Sequence, residues 1–290
     1  TGTIMFLING FILGMTAGFT VLTAQKFGAG DMKAMRKTVG NAAILAIIMS
    51  LIMTVLGMMA MKPLLGIMKT PDDIFKDAYA YIMVICGGIA AQMLYNFLSS
   101  VLRALGNSKV PLYFLILAAL LNIVLDMVFI IAFHMGAAGA AWATVLGQIA
   151  SLALAAVFHF HLNRELPFRR KALRLRRSIV GEIYSIGVPA IIAQGAMSVM
   201  NYCVNLIFGS LDSSYVTAYG IVYKIQQFVL FAAFGLRDAI TPIMSFSYGM
   251  QNAKRIREGV RCGLLYTSVL MLVCTAAVEI LAQPLAGLFS

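Results

Sequence analysis

Eight apolar blocks, each long enough to cross the hydrocarbon core of a bilayer, fill most of this 290-residue chain. They cover 4–24, 38–61, 78–102, 110–133, 139–161, 183–209, 216–248 and 260–282, and Val110–Phe133 and Gly139–His161 show the pattern most plainly. Blocks of this length read as transmembrane helices, so the expected fold is an all-α integral membrane protein. Charged residues are only 11% of the chain and apolar residues 61%. A soluble domain carries about 25% charged residues to solvate its surface. The deficit leaves too little polar surface for a water-facing shell.

The formal charge of +11 raises nucleic acid as a partner, but its distribution argues against one. Seventeen lysines and arginines fall in the connections after the first, third, fifth and seventh blocks, and three, Lys62, Lys69 and Lys76, in the others. This alternation is the positive-inside bias. It puts loops 25–37, 103–109, 162–182 and 250–261 in the cytoplasm of a multi-pass protein of the inner (plasma) membrane. The basic run Arg169–Arg177 then belongs to a cytoplasmic loop, and the expected partners are the lipid bilayer and small molecules. Cys86, Cys203, Cys262 and Cys274 lie in or at the ends of apolar blocks without metal-ligand spacing, so no metal centre or cofactor is expected.

Sliding the sequence on itself by 221 residues gives a gapless match between 14–68 and 235–289. Gly14 meets Gly235, Thr20 meets Thr241, Phe27-Gly28 meets Tyr248-Gly249, Lys33 meets Lys254, Arg36 meets Arg257 and Pro63-Leu64 meets Pro284-Leu285. Coincident Gly, Pro and basic punctuation at one offset marks an internal repeat. The repeat predicts twelve helices in two sets of six, of which this chain lacks the first and the last three. An even number per set makes the repeat parallel, with its axis along the membrane normal. The expected organisation is an N-terminal lobe over 1–162, a basic linker over 163–182 and a C-terminal lobe over 183–290. Phe168, Leu173 and Leu175 would let part of the linker lie along the headgroups as an interfacial helix; a plain solvated linker is the other reading.

Against this background several stretches stand out: Ala24-Gln25-Lys26-Phe27-Gly28-Ala29-Gly30-Asp31, Leu102-Arg103-Ala104-Leu105-Gly106-Asn107-Ser108-Lys109-Val110-Pro111, Leu121-Asn122-Ile123-Val124-Leu125-Asp126, Gly136-Ala137-Ala138-Gly139-Ala140-Ala141-Trp142-Ala143-Thr144 and Ser247-Tyr248-Gly249. In order and spacing the chain resembles the multidrug and toxic compound extrusion family of antiporters across nearly its whole length. The resemblance implies two six-helix lobes around a central cavity in a monomer. It also implies efflux of small cationic or amphipathic drugs driven by entry of Na+ or H+, the coupling ion.

Charges inside the blocks are few: Asp126, Lys224, Arg237, Asp238 and Glu279. Such residues cost a few kcal/mol in hydrocarbon and face a wet cavity or a partner. Asp126 is the only ionisable group in the run Ile123–Ile131, and Asn122 stands one turn away on the same face. Together they offer hard oxygen ligands for a small cation, or a carboxylate that carries a proton. Thr144, on the following helix, falls at a similar depth beyond the turn 134–138. In one branch of the family an Asn and Asp one turn apart, with a Thr on the next helix, help form the cation site, so the resemblance implies the same role for these three. The other reading is that they cross-link helices.

Lys224, Arg237 and Asp238 are candidates for the transport cavity, with snorkelling to the outer interface as the alternative for Lys224. As neighbours, Arg237 and Asp238 do not face each other along a helix, so each is expected to find another partner or water. Pro189 and Pro242 fall inside blocks and permit bends. The pattern Gly14-Met15-Thr16-Ala17-Gly18 allows a close helix approach, though it is a weak signal in a glycine-rich membrane protein. A flippase for lipid-linked saccharides or cell-wall precursors is the alternative transporter; it should line its cavity with more basic residues. No HExxH or GxSxG motif points to an enzyme.

Overall fold

The computed structural model describes residues 2–67, 72–162, 173–211 and 213–280. Every regular element among them is helical, as expected from apolar segments whose backbone groups must be satisfied internally in lipid. The helices are α1 (Gly2–Gly28), α2 (Met32–Ile67), α3 (Asp72–Ala104), α4 (Lys109–Asp126), α5 (Gly136–Val157), α6 (Arg177–Leu211), α7 (Ser213–Gly249) and α8 (Ala253–Ile280). Eight stretches among the described residues are long and apolar enough to cross a membrane.

The helices overrun the apolar blocks. α2 begins at Met32 and runs through Pro63, and α6 begins at Arg177, inside the segment expected to be linker. Hydropathy marks the apolar centre of a spanning helix, whereas the helix itself continues through polar residues at the interface. Residues 173–176 form no helix, so the interfacial-helix reading fails for Leu173 and Leu175. Instead the Arg176 backbone N–H donates to Asn41 Oδ1 at 2.6 Å, tying this stretch to α2. Phe168, Arg169, Arg170, Lys171, Lys69 and the 284–289 end of the repeat lie outside the described residues.

The repeat is visible bond for bond. α1 and α2 are joined by a turn at 29–31, and α7 and α8 by a turn at 250–252, the same offset of 221. Asp31 Oδ1 accepts from the Ala34 N–H at 2.8 Å, and Asn252 Oδ1 accepts from the Arg255 N–H at 3.0 Å, so equivalent residues cap α2 and α8. Gly30 and Gln251 both take positive φ, 73° and 53°. Losing either cap by Asp31→Ala or Asn252→Ala should destabilise its helix start by about 1 kcal/mol, read as a lower thermal midpoint in detergent.

α1 and α7 meet across the repeat. A Cβ on Gly28 would overlap the Phe246 carbonyl, and a Cβ on Gly249 would overlap the Gln25 carbonyl. Because Gln25 and Phe246 are themselves repeat mates, the two contacts are one contact related by a pseudo-two-fold axis. Both turns therefore sit at the same end of the bundle, as a parallel repeat requires. The rings of Phe27 and Phe246 pack 5.5 Å apart at this end, where Lys26 also pairs with Glu182 on α6 at 3.2 Å.

α1 is the centre of the packing, touching α2, α3, α6 and α7. Ile12, Met15 and Phe19 are fully buried on it. The small-residue pattern proves real: a Cβ on Gly10, Gly14 or Gly18 would collide with Gln194, Ile191 and Ile183 of α6 in turn. A glycine every fourth residue clears one stripe of α1 for α6. α5 packs on α3, and α4 lies outermost against α5.

Candidate functional site

Two polar places stand out in the membrane-spanning part, one behind α3 and one on the repeat axis. The first is the seam between α4 and α5. α4 is exposed over most of its surface, and the residues that escape exposure, Val110, Pro111, Phe114, Ala118, Leu121, Asn122, Leu125 and Asp126, fall at helical spacing along one side. Asn122 and Asp126 thus stand on the one stripe turned toward α5 rather than toward lipid. Gly147 lets the helices close there, since a Cβ on it would lie 3.3 Å from the Ala118 carbonyl and 3.8 Å from Asn122 Cβ. Farther along the seam Ser151 Oγ donates to the Phe114 carbonyl at 3.4 Å.

The three residues singled out from sequence come together. The Asn122 amide nitrogen lies 3.4 Å from Thr144 Oγ1, whose hydroxyl donates to the Ala140 carbonyl at 3.0 Å. With the amide turned over, its nitrogen donates to Asp126 Oδ2 at 3.3 Å and its oxygen accepts from the Thr144 backbone N–H at 3.2 Å. Asp126 Oδ1 is buried and has no hydrogen-bond partner among the described residues. A buried carboxylate oxygen without a partner is costly. The oxygen set of Asp126, Asn122 and Thr144 fits a small cation or a proton, either of which would satisfy that atom.

Immediately after Asp126 the α-helix gives way to a π-helical turn, Met127–Ala132. Such turns in α-helices gather at functional positions. Nothing in the apolar run Met127–Ala132 announces it; hydropathy predicts one continuous helix there. Thr144→Ala and Asn122→Ala each remove one neutral ligand, so each should weaken binding of a small cation by about fivefold, on the order of 1 kcal/mol. Calorimetric titration of sodium into the purified protein measures this.

The second place is a cleft of about 190 Å³ lined by α1, α3, α6 and α7, including Thr16, Thr20, Arg103, Gln194, Arg237, Asp238 and Thr241. Three repeat pairs contribute: Thr16 with Arg237, Ala17 with Asp238, and Thr20 with Thr241. The cleft therefore straddles the pseudo-two-fold axis, with charge from the second repeat opposite small neutral residues of the first. Counting from the Gly28 end, Thr16 and Thr20 lie about 18 and 12 Å into the bundle.

Arg237 and Asp238 both line this cleft, but the expectation about their partners fails. Arg237 donates from Nε to Asp238 Oδ1 at 3.0 Å, and its Nη2 lies 2.9 Å from the same oxygen. An arginine side chain is long enough to fold back across one residue, which a rule based on Cβ directions misses. Its guanidinium also sits 5.0 Å from the Phe234 ring centroid. Lys224 is not among the residues lining the cleft; it lies thirteen residues before Arg237 on α7, about 20 Å along the helix.

Arg103 falls in a cytoplasmic loop by charge alternation alone. It belongs instead to the last turn of α3 and lines the cleft. Helical Cα–Cβ bonds tilt toward the N-terminus, so an arginine in a last turn is aimed back into the bundle. That tilt and the repeat partners of Arg237 and Thr241 are the sequence signals for this cleft.

Known proteins share both the sequence pattern and this architecture. The family model MatE matches residues 1–128 and 189–290. The chain is 31% identical to "Probable multidrug resistance protein YpnP" of Bacillus subtilis (strain 168), across 88% of this chain and 57% of that protein. It is 26% identical to "Multidrug export protein MepA" of Staphylococcus aureus (strain NCTC 8325 / PS 47), across 68% of this chain and 44% of the relative. A crystal structure of MATE in the bent conformation superposes with a TM-score of 0.92 at 22% identity, covering 99% of this chain and 64% of the other. The chain thus spans little more than half the length of the first of these relatives.

Proposed function

We propose, from the premise that this chain belongs to the MatE family, that the whole protein exports small amphipathic molecules in exchange for an entering sodium ion or proton. The observation that carries the reading is the Asp126 carboxylate, held on the α4–α5 seam with one oxygen buried and unpartnered among the described residues. A structural cross-link would use both oxygens; a transient cation site leaves one for the ion.

The cleft on the repeat axis serves as the substrate site. Solute sites of transporters built from repeats lie near the bilayer midplane at the repeat interface. α3 lies between the two places, touching α5 on one side and α1 and α7 on the other. Occupancy of the Asp126 site would bias how α4 and α5 seat on α3, and so which end of the cleft is open.

We assign 1–162 and 183–290 to two lobes that meet along α1, α6 and α7, with the turns 29–31 and 250–252 on the cytoplasmic face of the plasma membrane. The basic residues of those turns and the reciprocal glycine contact support this assignment. Cysteines replacing Lys33 or Lys254 should then react with an impermeant maleimide only from the cytoplasmic side, and one replacing Lys62 only from outside. Labelling of Lys254→Cys from outside would reverse the orientation.

Export itself is tested in vesicles holding the whole protein. Dye efflux should start when an inward sodium or proton gradient is imposed and stop when an ionophore collapses it. Efflux indifferent to both gradients would overturn the antiport reading.

A further inference from the structure

The cleft carries two guanidinium groups, Arg103 and Arg237, and one carboxylate, Asp238. Asp238 is engaged by Arg237 through two nitrogens on one oxygen. Arg103 is half-buried, and among the described residues no hydrogen bond or ion pair holds its guanidinium. Asp238 acts on it only through its charge field. An arginine head group offers five N–H donors in a planar fork, matched to the paired oxygens of a carboxylate, sulfonate or phosphate. Partly withdrawn from water and facing a cleft, that fork presents unsatisfied donors to whatever enters.

The surrounding side chains suit the same guest. Thr16, Thr20, Thr241 and Gln194 add neutral hydrogen-bonding groups, while Leu13, Ala17 and Ala190 give an apolar wall. Arg237 is placed by Phe234 and Asp238 to stand opposite Thr16, its repeat mate. The cleft is thus one positive charge in excess, with an apolar side. A drug bearing only positive charge would meet Arg103 and find the single carboxylate already bound.

We infer that this cleft recognises the anionic oxygen group of an amphiphile, with Arg103 as its principal ligand and Arg237 as a second. The inference deepens the assignment of the cleft as the substrate site and rests on it. Two sources could supply the group: a soluble amphipathic acid or the phosphate of an anionic lipid.

The test uses the purified whole protein in a neutral detergent and an isosteric pair of opposite charge, 2-naphthoate and 2-naphthylmethylammonium, titrated by calorimetry. Dihexanoylphosphatidylglycerol below its micellar concentration is the lipid arm. At least one of the two anions should bind about tenfold more tightly than the ammonium. Arg103→Gln should weaken that anion by about tenfold, and Asp238→Asn, which removes a negative charge and frees Arg237, should strengthen it. Preference for 2-naphthoate identifies soluble acids as the class, and preference for the phosphatidylglycerol identifies lipid phosphate. Equal or tighter binding of the ammonium by the unmodified protein overturns the proposal without any variant. So does unchanged anion affinity in an Arg103→Gln protein that keeps its thermal midpoint. Binding is measured without a gradient, so failure here leaves gradient-driven efflux standing, and failure of efflux leaves this result standing.

Discussion

Gly28→Val is expected to hold apart the end of the α1–α7 contact beside the turns 29–31 and 250–252 and to stop turnover. In the structure the two helices touch backbone to backbone at Gly28 and Gly249, where a single added Cβ would already overlap a carbonyl of the facing helix. The obstructing atoms are main-chain atoms near helix ends, not flexible side-chain tips, so relief requires moving a whole helix. Overpacking of this kind costs about 1–3 kcal/mol in a well-packed core, enough to shift a two-state equilibrium about 5- to 150-fold. Spin labels at Lys33 and Lys254, both exposed beyond the contact, should move from a narrow short distance to a longer distribution. Gly249→Val should do the same, because the contact is reciprocal. An unchanged distance distribution with normal transport in both variants would show that the contact is incidental to the cycle.

That contact is half legible in the sequence. Alignment of Phe27-Gly28 with Tyr248-Gly249 announces equivalent helix ends, and the shared basic residues announce one side of the membrane. The caps Asp31 and Asn252 also stand at the repeat offset, yet the apolar blocks begin only at 38 and 260, six and seven residues after the helix starts at Met32 and Ala253. Hydropathy weighs the apolar centre, whereas a cap is a local hydrogen bond that forms whatever the polarity of the next turn. The glycines of α1 are visible as a pattern, but their partner, α6, is not, because no periodicity in α1 says which helix it meets.

Asp126→Asn is expected to leave the protein inserted and folded while abolishing ion-driven export. The substitution keeps the size of the side chain and its ability to bond Asn122, but removes the negative charge. It also places an amide where a buried oxygen has no partner among the described residues. A sodium ion would lose its only anionic ligand among the three residues, and a proton would lose its acceptor. Sodium or proton binding should fall below detection, a larger loss than the fivefold expected for Asn122→Ala or Thr144→Ala. The thermal midpoint should hold or rise, since relieving an unpaired buried carboxylate removes a cost of folding.

The spacing of Asn122 and Asp126 needs only helical geometry to read, and the depth of Thr144 only the rise per residue. The other half of the machinery is less accessible. Arg103 sits at the end of an apolar block, where charge counting assigns it to a loop; its entry into the cleft depends on α3 packing against α1 and α7. The Arg237–Asp238 pair depends on side-chain length rather than register. The π-helical turn after Asp126 leaves no mark in composition, since Met127–Ala132 reads equally well as α-helix.

If substrate movement and cation movement are coupled through Asp126, counterflow reveals it most directly. Vesicles containing the whole protein, with equal sodium and pH on both sides, receive an outward gradient of a transported dye. Coupling predicts that dye movement drives sodium or protons the opposite way, read with radioactive sodium or a pH-sensitive fluorophore. It also predicts that Asp126→Asn removes this ion movement while the protein remains inserted. Dye-driven cation flux of normal size in Asp126→Asn would contradict coupling at this residue.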